Sequence, residues 1–342
     1  MDFYRLIFKR YYEYDAGKEP VISLNDFQKK GIQNVLERIR NGSYILEKSP
    51  CICGEADNSI LIAKKDRYGF PVESRLCRRC GILRTSPKFA SGSLVKFYEN
   101  DYRQVYDQAY GEGLNAPAIL FSAEMSRGEE ILHFVRPSFE KNSYLTVFDI
   151  GCGAGGMLVP FIKDGWAGYG CDIGGEYLKY GRENGLNLEK GQVRELKEKY
   201  GRADLIILSH VFEHIESPDE FLREISRTLH EGAFLFIELP GIFNIHRVNG
   251  DIMAFLQNVH LYNYTQGTLS DIVTAHGFRL VQGNEYVYAL FKKEGEGDRG
   301  PARKGLWKYR YIPILLYLVL IAVTYRLVHA RGVYTIYQKL AR

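Results

Sequence analysis

The chain has 342 residues, 46% of them hydrophobic and 25% charged, enough apolar content for the core of one large or two modest domains. From Arg299 onward there are nine Lys or Arg and no Asp or Glu, which leaves 36 basic against 41 acidic residues before it. A net charge of +4 therefore divides into a mildly acidic body and a strongly basic tail. Six cysteines without an apolar opening segment do not resemble a secreted disulfide framework, so a reducing cytoplasm is the expected home.

Residues 1–48 carry little chemistry. The aromatic stretch 3–14 suits either a strand or a docking arm. Asn25 or Ser23 caps a predicted helix reaching Arg40, with Phe27, Ile32, Val35, Leu36 and Ile39 on one side.

Residues 49–90 hold Cys51-Ile-Cys53-Gly and, after twenty-three intervening residues, Cys77-Arg-Arg-Cys80-Gly. Two knuckles ending in glycine can gather four thiolates around a tetrahedral zinc ion, and four protein ligands leave no open position, so the expected site is structural. The first knuckle is tighter than the usual C-x-x-C. The alternatives are four reduced cysteines without metal, or a redox pair. Arg78, Arg79 and Arg84 are too few to form a phosphate track, and no nucleic-acid partner is expected.

Across residues 91–141 the pattern predicts two helices, one of them at 116–135, covering the entrance to the following domain. Tyr98, Tyr102, Tyr106 and Tyr110 recur every four residues, a stripe suited to packing or to stacking on a sugar.

Residues 142–293 alternate strands and helices. Strands are predicted at 147–150, 168–171, 186–189, 204–208 and 234–238, with helices at 157–163, 176–183 and 221–229. The stretch closes on a hairpin at 278–281 and 286–291. This order indicates an α/β fold, a doubly wound, mostly parallel Rossmann-like sheet ending in an antiparallel hairpin. The first strand, Val-Phe-Asp149-Ile, runs into Gly151-Cys152-Gly153-Ala-Gly-Gly156, a literal G-x-G-x-x-G. Such glycines turn tightly and let backbone approach a nucleotide-like ligand. Asp172, twenty-one residues after Gly151, ends the second strand, where a carboxylate accepts hydrogen bonds from ribose hydroxyls.

Asp149 within the first motif, together with Asp204-Leu-Ile-Ile-Leu-Ser209-His210-Val-Phe-Glu213-His214-Ile downstream, resembles the class I S-adenosylmethionine-dependent methyltransferases over residues 143–293. The resemblance implies S-adenosylmethionine as cofactor, with Gly151, Cys152 and Gly153 under its methionine part and Asp149 toward the amino end. Asp172 and Ile173 would meet the ribose, and Gln192 and Val193 the adenine. Ser209 and His210 would face the sulfonium, while Glu213 and His214 lie beneath the acceptor cleft. A four-cysteine module ahead of such a domain is similar to the sugar methyltransferases of polysaccharide and antibiotic-sugar pathways. It implies a sugar or glycan substrate.

An alcohol nucleophile needs its proton removed as the new bond forms, and histidine suits this near neutral pH. The candidates are His214, His246 and His260. His260 is preferred because the resembling proteins carry an acceptor-site histidine after the fifth strand. The sugar C-methyltransferases have Tyr-x-Glu-His there, whereas this chain has Gln257, Asn258, Val259 and His260. O-methylation of a sugar hydroxyl is therefore expected before C-methylation. A noncatalytic scaffold that retains the pocket is the alternative from another class.

Residues 294–305 read as a linker and 306–342 as a basic, apolar helical tail. Its apolar stretch, 311–325, starts near Pro313 and reaches about 22 Å at 1.5 Å per residue, short of the ~30 Å hydrocarbon layer. Lys304, Lys308, Arg310, Arg326 and Arg331 bracket it, together with Trp307, Tyr309, Tyr311 and Tyr325. The expectation is a helix lying on the inner face of the membrane; packing on the body or on a second subunit, as a homodimer, is the alternative.

Overall fold

The computed structural model of the chain describes residues 3–106, 115–140, 144–295 and 309–330. They fall into two compact units, Met1–Gln108 with Gly241–Thr268 and Lys304–Arg342, and Ala109–Pro240 with Leu269–Arg303. The segment Gly241–Thr268, drawn from the sequence within residues 142–293, thus counts with the first unit.

In chain order come α1 (Phe3–Ile7), α2 (Lys9–Glu13), α3 (Asp26–Arg40), β1 (Leu46–Glu47), β2 (Ser59–Ala63), β3 (Ser74–Cys77), β4 (Leu83–Thr85), β5 (Lys88–Phe89), α4 (Ser91–Asn100) and α5 (Tyr102–Tyr106). There follow α6 (Ala116–Val135), β6 (Thr146–Ile150), α7 (Leu158–Lys163), β7 (Ala167–Asp172), α8 (Gly175–Glu183), β8 (Asn187–Lys190), α9 (Val193–Tyr200), β9 (Ala203–Ser209), α10 (Pro218–Thr228) and β10 (Leu229–Glu238). The chain continues through α11 (Ile245–Val248), α12 (Ile252–Phe255), β11 (Tyr262–Asn263), α13 (Gln266–Thr274), β12 (Phe278–Gly283), β13 (Tyr288–Lys293) and α14 (Tyr311–Ala330).

In the first unit the stretch 3–14 is neither strand nor arm. It forms α1 and α2, which bury Phe8, Tyr11 and Tyr14 in a core with Ile60, Leu76, Ile242, Met253, Ile314 and Leu318. Asn25 caps α3 reciprocally: its side chain accepts the Gln28 amide at 2.8 Å, and the Gln28 side chain accepts the Asn25 amide at 3.1 Å. A small sheet runs in the order β11, β4, β3, β2.

Where one helix was expected before α6, the structure has two, α4 and α5, because the chain breaks at Asp101. That buried carboxylate accepts hydrogen bonds from Arg38 and Tyr44, which fixes the bend. Rings still align across it, with Tyr102 and Tyr106 stacked at 4.8 Å and Tyr98 5.0 Å from Tyr102. Tyr110 lies outside the described residues.

In the second unit the described residues form a seven-stranded sheet in the order β12, β13, β10, β9, β6, β7, β8. The strands from β10 to β8 are parallel, and β13 is antiparallel to both β10 and β12. The doubly wound fold with its closing hairpin is therefore present. β6 is central because it is apolar on both faces, with Val147, Phe148 and Ile150 buried between β7 and β9. The order reverses between β6 and β9, the topological switch point at which ligands bind in such sheets.

Candidate cofactor site and cysteine cluster

The loop leaving β6 is drawn onto β7, since the amides of Gly151 and Cys152 both donate to the Cys171 carbonyl, at 2.8 and 3.0 Å. Gly153 sits at φ +54°, a left-handed conformation that side chains resist, and its amide donates to Asp172 Oδ2 at 3.0 Å. The other Asp172 oxygen accepts the Gly174 amide at 2.7 Å. Helix α6 lies directly against the loop: a Cβ on Gly156 would stand 2.1 Å from the Phe121 carbonyl oxygen. From the same helix Glu124 accepts the Gly156 amide at 2.9 Å.

This loop is strongly acidic. Asp149 is buried, and among the described residues its Oδ2 has no hydrogen-bond partner. Burial pushes the Asp149 carboxyl well above the usual carboxylate range, and the charges of Glu124 and Asp172 push it the same way. Three carboxyl groups thus converge where the glycine loop exposes its backbone. Of the other expected cofactor contacts, Cys152 is buried and Ile173 is 58% exposed. Gln192 is exposed and caps α9 through its amide, which donates to Glu195 at 2.7 Å; Val193 is buried.

A second cluster gathers at the carboxyl ends of β9 and β10. Ser209 Oγ donates to Glu238 Oε2 at 2.6 Å, and Arg127 of α6 pairs with Glu238 Oε1 at 3.1 Å. His210 follows at φ +55°, a conformation that costs a non-glycine residue about 1 kcal/mol or more and is concentrated at functional sites. Its ring nitrogens lie 3.4 Å from Glu213 and 3.5 Å from Glu238. Burial draws the imidazole down, but the two carboxylates outweigh it and raise it to about 9. With the side chain 42% exposed, water weakens that pairing, yet its direction leaves His210 cationic at neutral pH. Glu213 is buried, and His214, on the same short 3-10 turn, places Nε2 3.9 Å from it.

His260 belongs to the first unit, where it is buried and its carbonyl accepts the Thr85 hydroxyl at 2.8 Å. Its neighbour Asn258 is anchored twice: its amide donates to Asp66 at 2.9 Å, and its side-chain oxygen accepts the Tyr106 hydroxyl at 2.7 Å. Burial raises the Asp66 carboxyl to about 7, against the pull of backbone amides from Phe70, Asn258 and Tyr68. His246 bonds the Phe243 carbonyl and the Tyr317 hydroxyl, at 3.1 and 2.9 Å.

Cys51, Cys53, Cys77 and Cys80 come together in the first unit with all four sulfurs within 4.8 Å of one another. Sγ of Cys51 is 3.4 Å from that of Cys80, and Sγ of Cys53 is 3.7 Å from that of Cys77. A tetrahedron of ~2.3 Å zinc–sulfur bonds has edges of about 3.8 Å, so the donor set fits this metal. Each knuckle turns on a left-handed glycine, Gly54 or Gly81, whose amide returns to the Cys51 or Cys77 carbonyl. Arg84, almost fully buried on β4, donates to the Ala56 carbonyl, while its Nε and Nη1 find no partner among the described residues. A buried cation in a module that gathers thiolates is compatible with a negatively charged centre.

No motif in the sequence marks Glu124, Arg127 or Glu238 as a site residue. The available signal was weak: Glu124 and Arg127 stand three apart on a predicted helix, and Glu238 ends a predicted strand at the carboxyl edge of the sheet.

Residues 121–283 match the family model described as "Methyltransferase domain". The chain is 31% identical over 100 residues to the ubiquinone biosynthesis O-methyltransferase of Caulobacter vibrioides, covering 27% of this chain and 40% of that protein. It is 22% identical over 190 residues to the enzyme of the same name from Rickettsia canadensis, covering 52% of this chain and 80% of that one. Among solved structures it is similar to a SAM-dependent methyltransferase from Archaeoglobus fulgidus, at 25% identity and TM-score 0.39, over 46% of this chain and 69% of the other. It is also similar to the magnesium protoporphyrin IX methyltransferase of Synechocystis PCC 6803 with bound SAH, at 14% identity and TM-score 0.43, over 59% of this chain and all of that one. The family match over residues 121–283 and the order of the sheet together give this part of the chain a Rossmann-like methyltransferase fold.

Proposed function

We propose that the second unit binds S-adenosylmethionine at the glycine loop and that the chain methylates a hydroxyl, on a sugar of a glycan or of its nucleotide- or lipid-linked precursor. The observation that carries the cofactor reading is the convergence of Glu124, Asp149 and Asp172 on the loop, with Asp149 Oδ2 unsatisfied. A dinucleotide would bring an anionic pyrophosphate to these carboxyl groups. S-adenosylmethionine instead carries an ammonium and a sulfonium, and either cation lowers the cost of holding Asp149 buried and ionised beside the other two carboxylates. The bound donor supplies an electrophilic methyl group, and the protein's task is to align an oxygen nucleophile with it.

His260 is the proposed base, and His214, beside buried Glu213, is the alternative. His210 is held cationic by Glu213 and Glu238 and is therefore assigned to positioning. The sugar acceptor rests on the four-cysteine module, to which we assign a structural zinc ion. A second reading follows from the names of the two O-methyltransferase relatives, a hydroxyl on a lipid-soluble ring.

The deciding experiment has two steps. Calorimetry with S-adenosylmethionine and with NADH tests the cofactor; binding of NADH alone would overturn the reading. Incubation with a deuterated-methyl donor and separate glycan and lipid extracts, followed by mass spectrometry, then identifies the acceptor. Label confined to the lipid-soluble ring fraction would replace the sugar reading with the second one. Methyl on carbon, with exchange at the neighbouring position, would restore C-methylation.

A further inference from the structure

The helix α14 contains twenty residues rather than the fifteen expected, because Arg326 and the residues after it continue the helix. At 1.5 Å per residue it is about 30 Å long, so shortness does not prevent it from crossing a bilayer. It is long and apolar enough to do so by length and composition. What bears on its orientation is its packing. One stripe, Ile314, Leu315, Leu318, Ile321 and Ala322, is buried in the core of the first unit. The opposite stripe, Ile312, Leu316, Leu320, Val323 and Leu327, faces outward, with Leu316 63% and Leu320 61% exposed. At spacings of four, four, three and four these side chains share one face. Phe3 and Leu6 of α1 are exposed as well, and Arg326 donates to the Leu6 carbonyl at 2.8 Å, which sets α1 beside the end of the stripe.

We propose that this outward face seats the first unit in the headgroup layer of an anionic bilayer, with α14 parallel to the surface. An upright helix would have to withdraw its inner stripe from the protein core, whereas a flat one keeps that stripe packed and buries only the outer residues in lipid. Charge identifies the occupant. α14 contains no Asp or Glu, and the stretch 299–342 holds nine Lys or Arg and no acidic residue. An outward apolar stripe flanked in the sequence by cations, with Tyr309 exposed just before its start, matches the polarity gradient of an interface whose lipids are negative. The inference is independent of the methyl-transfer reading, since a chain unable to bind the methyl donor would still dock.

The test is cosedimentation of the full-length chain with vesicles of phosphatidylcholine alone or mixed with phosphatidylglycerol. The expected result is pelleting with the mixed vesicles that weakens at high salt, and at least a ~10-fold loss of partitioning when Leu316→Ser and Leu320→Ser are combined. Both residues are exposed, so thermal unfolding should be unchanged and a folding defect is separable. Equal pelleting of the variant, or none by the wild type, overturns the proposal. So does light scattering that finds a dimer converted to monomer by the same substitutions, which would give the face to a second copy of the chain.

Discussion

The Gly153 amide donates to the Asp172 carboxylate at 3.0 Å, so the residue expected to hold a ribose also holds the loop beneath it. Asp172→Ala removes acceptors from the amides of Gly153 and Gly174. We expect unfolding free energy to fall by about 1–3 kcal/mol, and S-adenosylmethionine affinity to fall further than stability alone explains. Calorimetry beside chemical denaturation checks this; unchanged affinity would remove Asp172 from the site.

Asp149 makes proton linkage visible. Its carboxyl is raised in the free chain by burial, Glu124 and Asp172, and a bound cation draws it back down. Binding should therefore release a proton, and affinity should strengthen as pH rises above the ordinary carboxylate range. Calorimetry in buffers of different ionisation enthalpy measures the release, which Asp149→Asn should abolish.

His210 gives the opposite sign for stability. Its pKa is raised from 6.5 to about 9 by Glu213 and Glu238, so its contribution is fully present below about pH 6.5 and is lost as pH climbs through about 9. The melting temperature should decline across that window, and less so in His210→Gln. A parallel decline in both proteins would assign the effect elsewhere.

The cysteine cluster predicts about one zinc per chain, measured by elemental analysis of protein purified without added metal. A chelator should lower the melting temperature, and Cys77→Ser should do so without chelator. Full stability in metal-free protein would favour four reduced thiols.

Gly156→Ala tests the seating of α6. The new methyl would meet the Phe121 carbonyl, and overpacking of this kind costs ~1–3 kcal/mol. Both stability and donor binding should fall, because Glu124 is carried on the same helix.

Local patterns were enough for much of the sheet and for the loop. Val147, Phe148 and Ile150 around Asp149, followed by glycines at a fixed spacing, state a buried strand and a tight turn without reference to any distant residue. The knuckle cysteines were legible for the same reason, because each pair is a local turn. The length of α14 was not, since Arg326 interrupts an apolar run without interrupting a helix. Nor was the acidity of the loop: Glu124 reaches Gly156 across thirty-two positions of sequence, and only the packing of α6 decides which of its side chains lands there. Arg127 and Glu238 meet by the same docking, and the outward stripe of α14 is distinguished from the inner one only by what the first unit covers. Period and spacing specify which elements form; the fit of one surface on another specifies which charged groups they bring together.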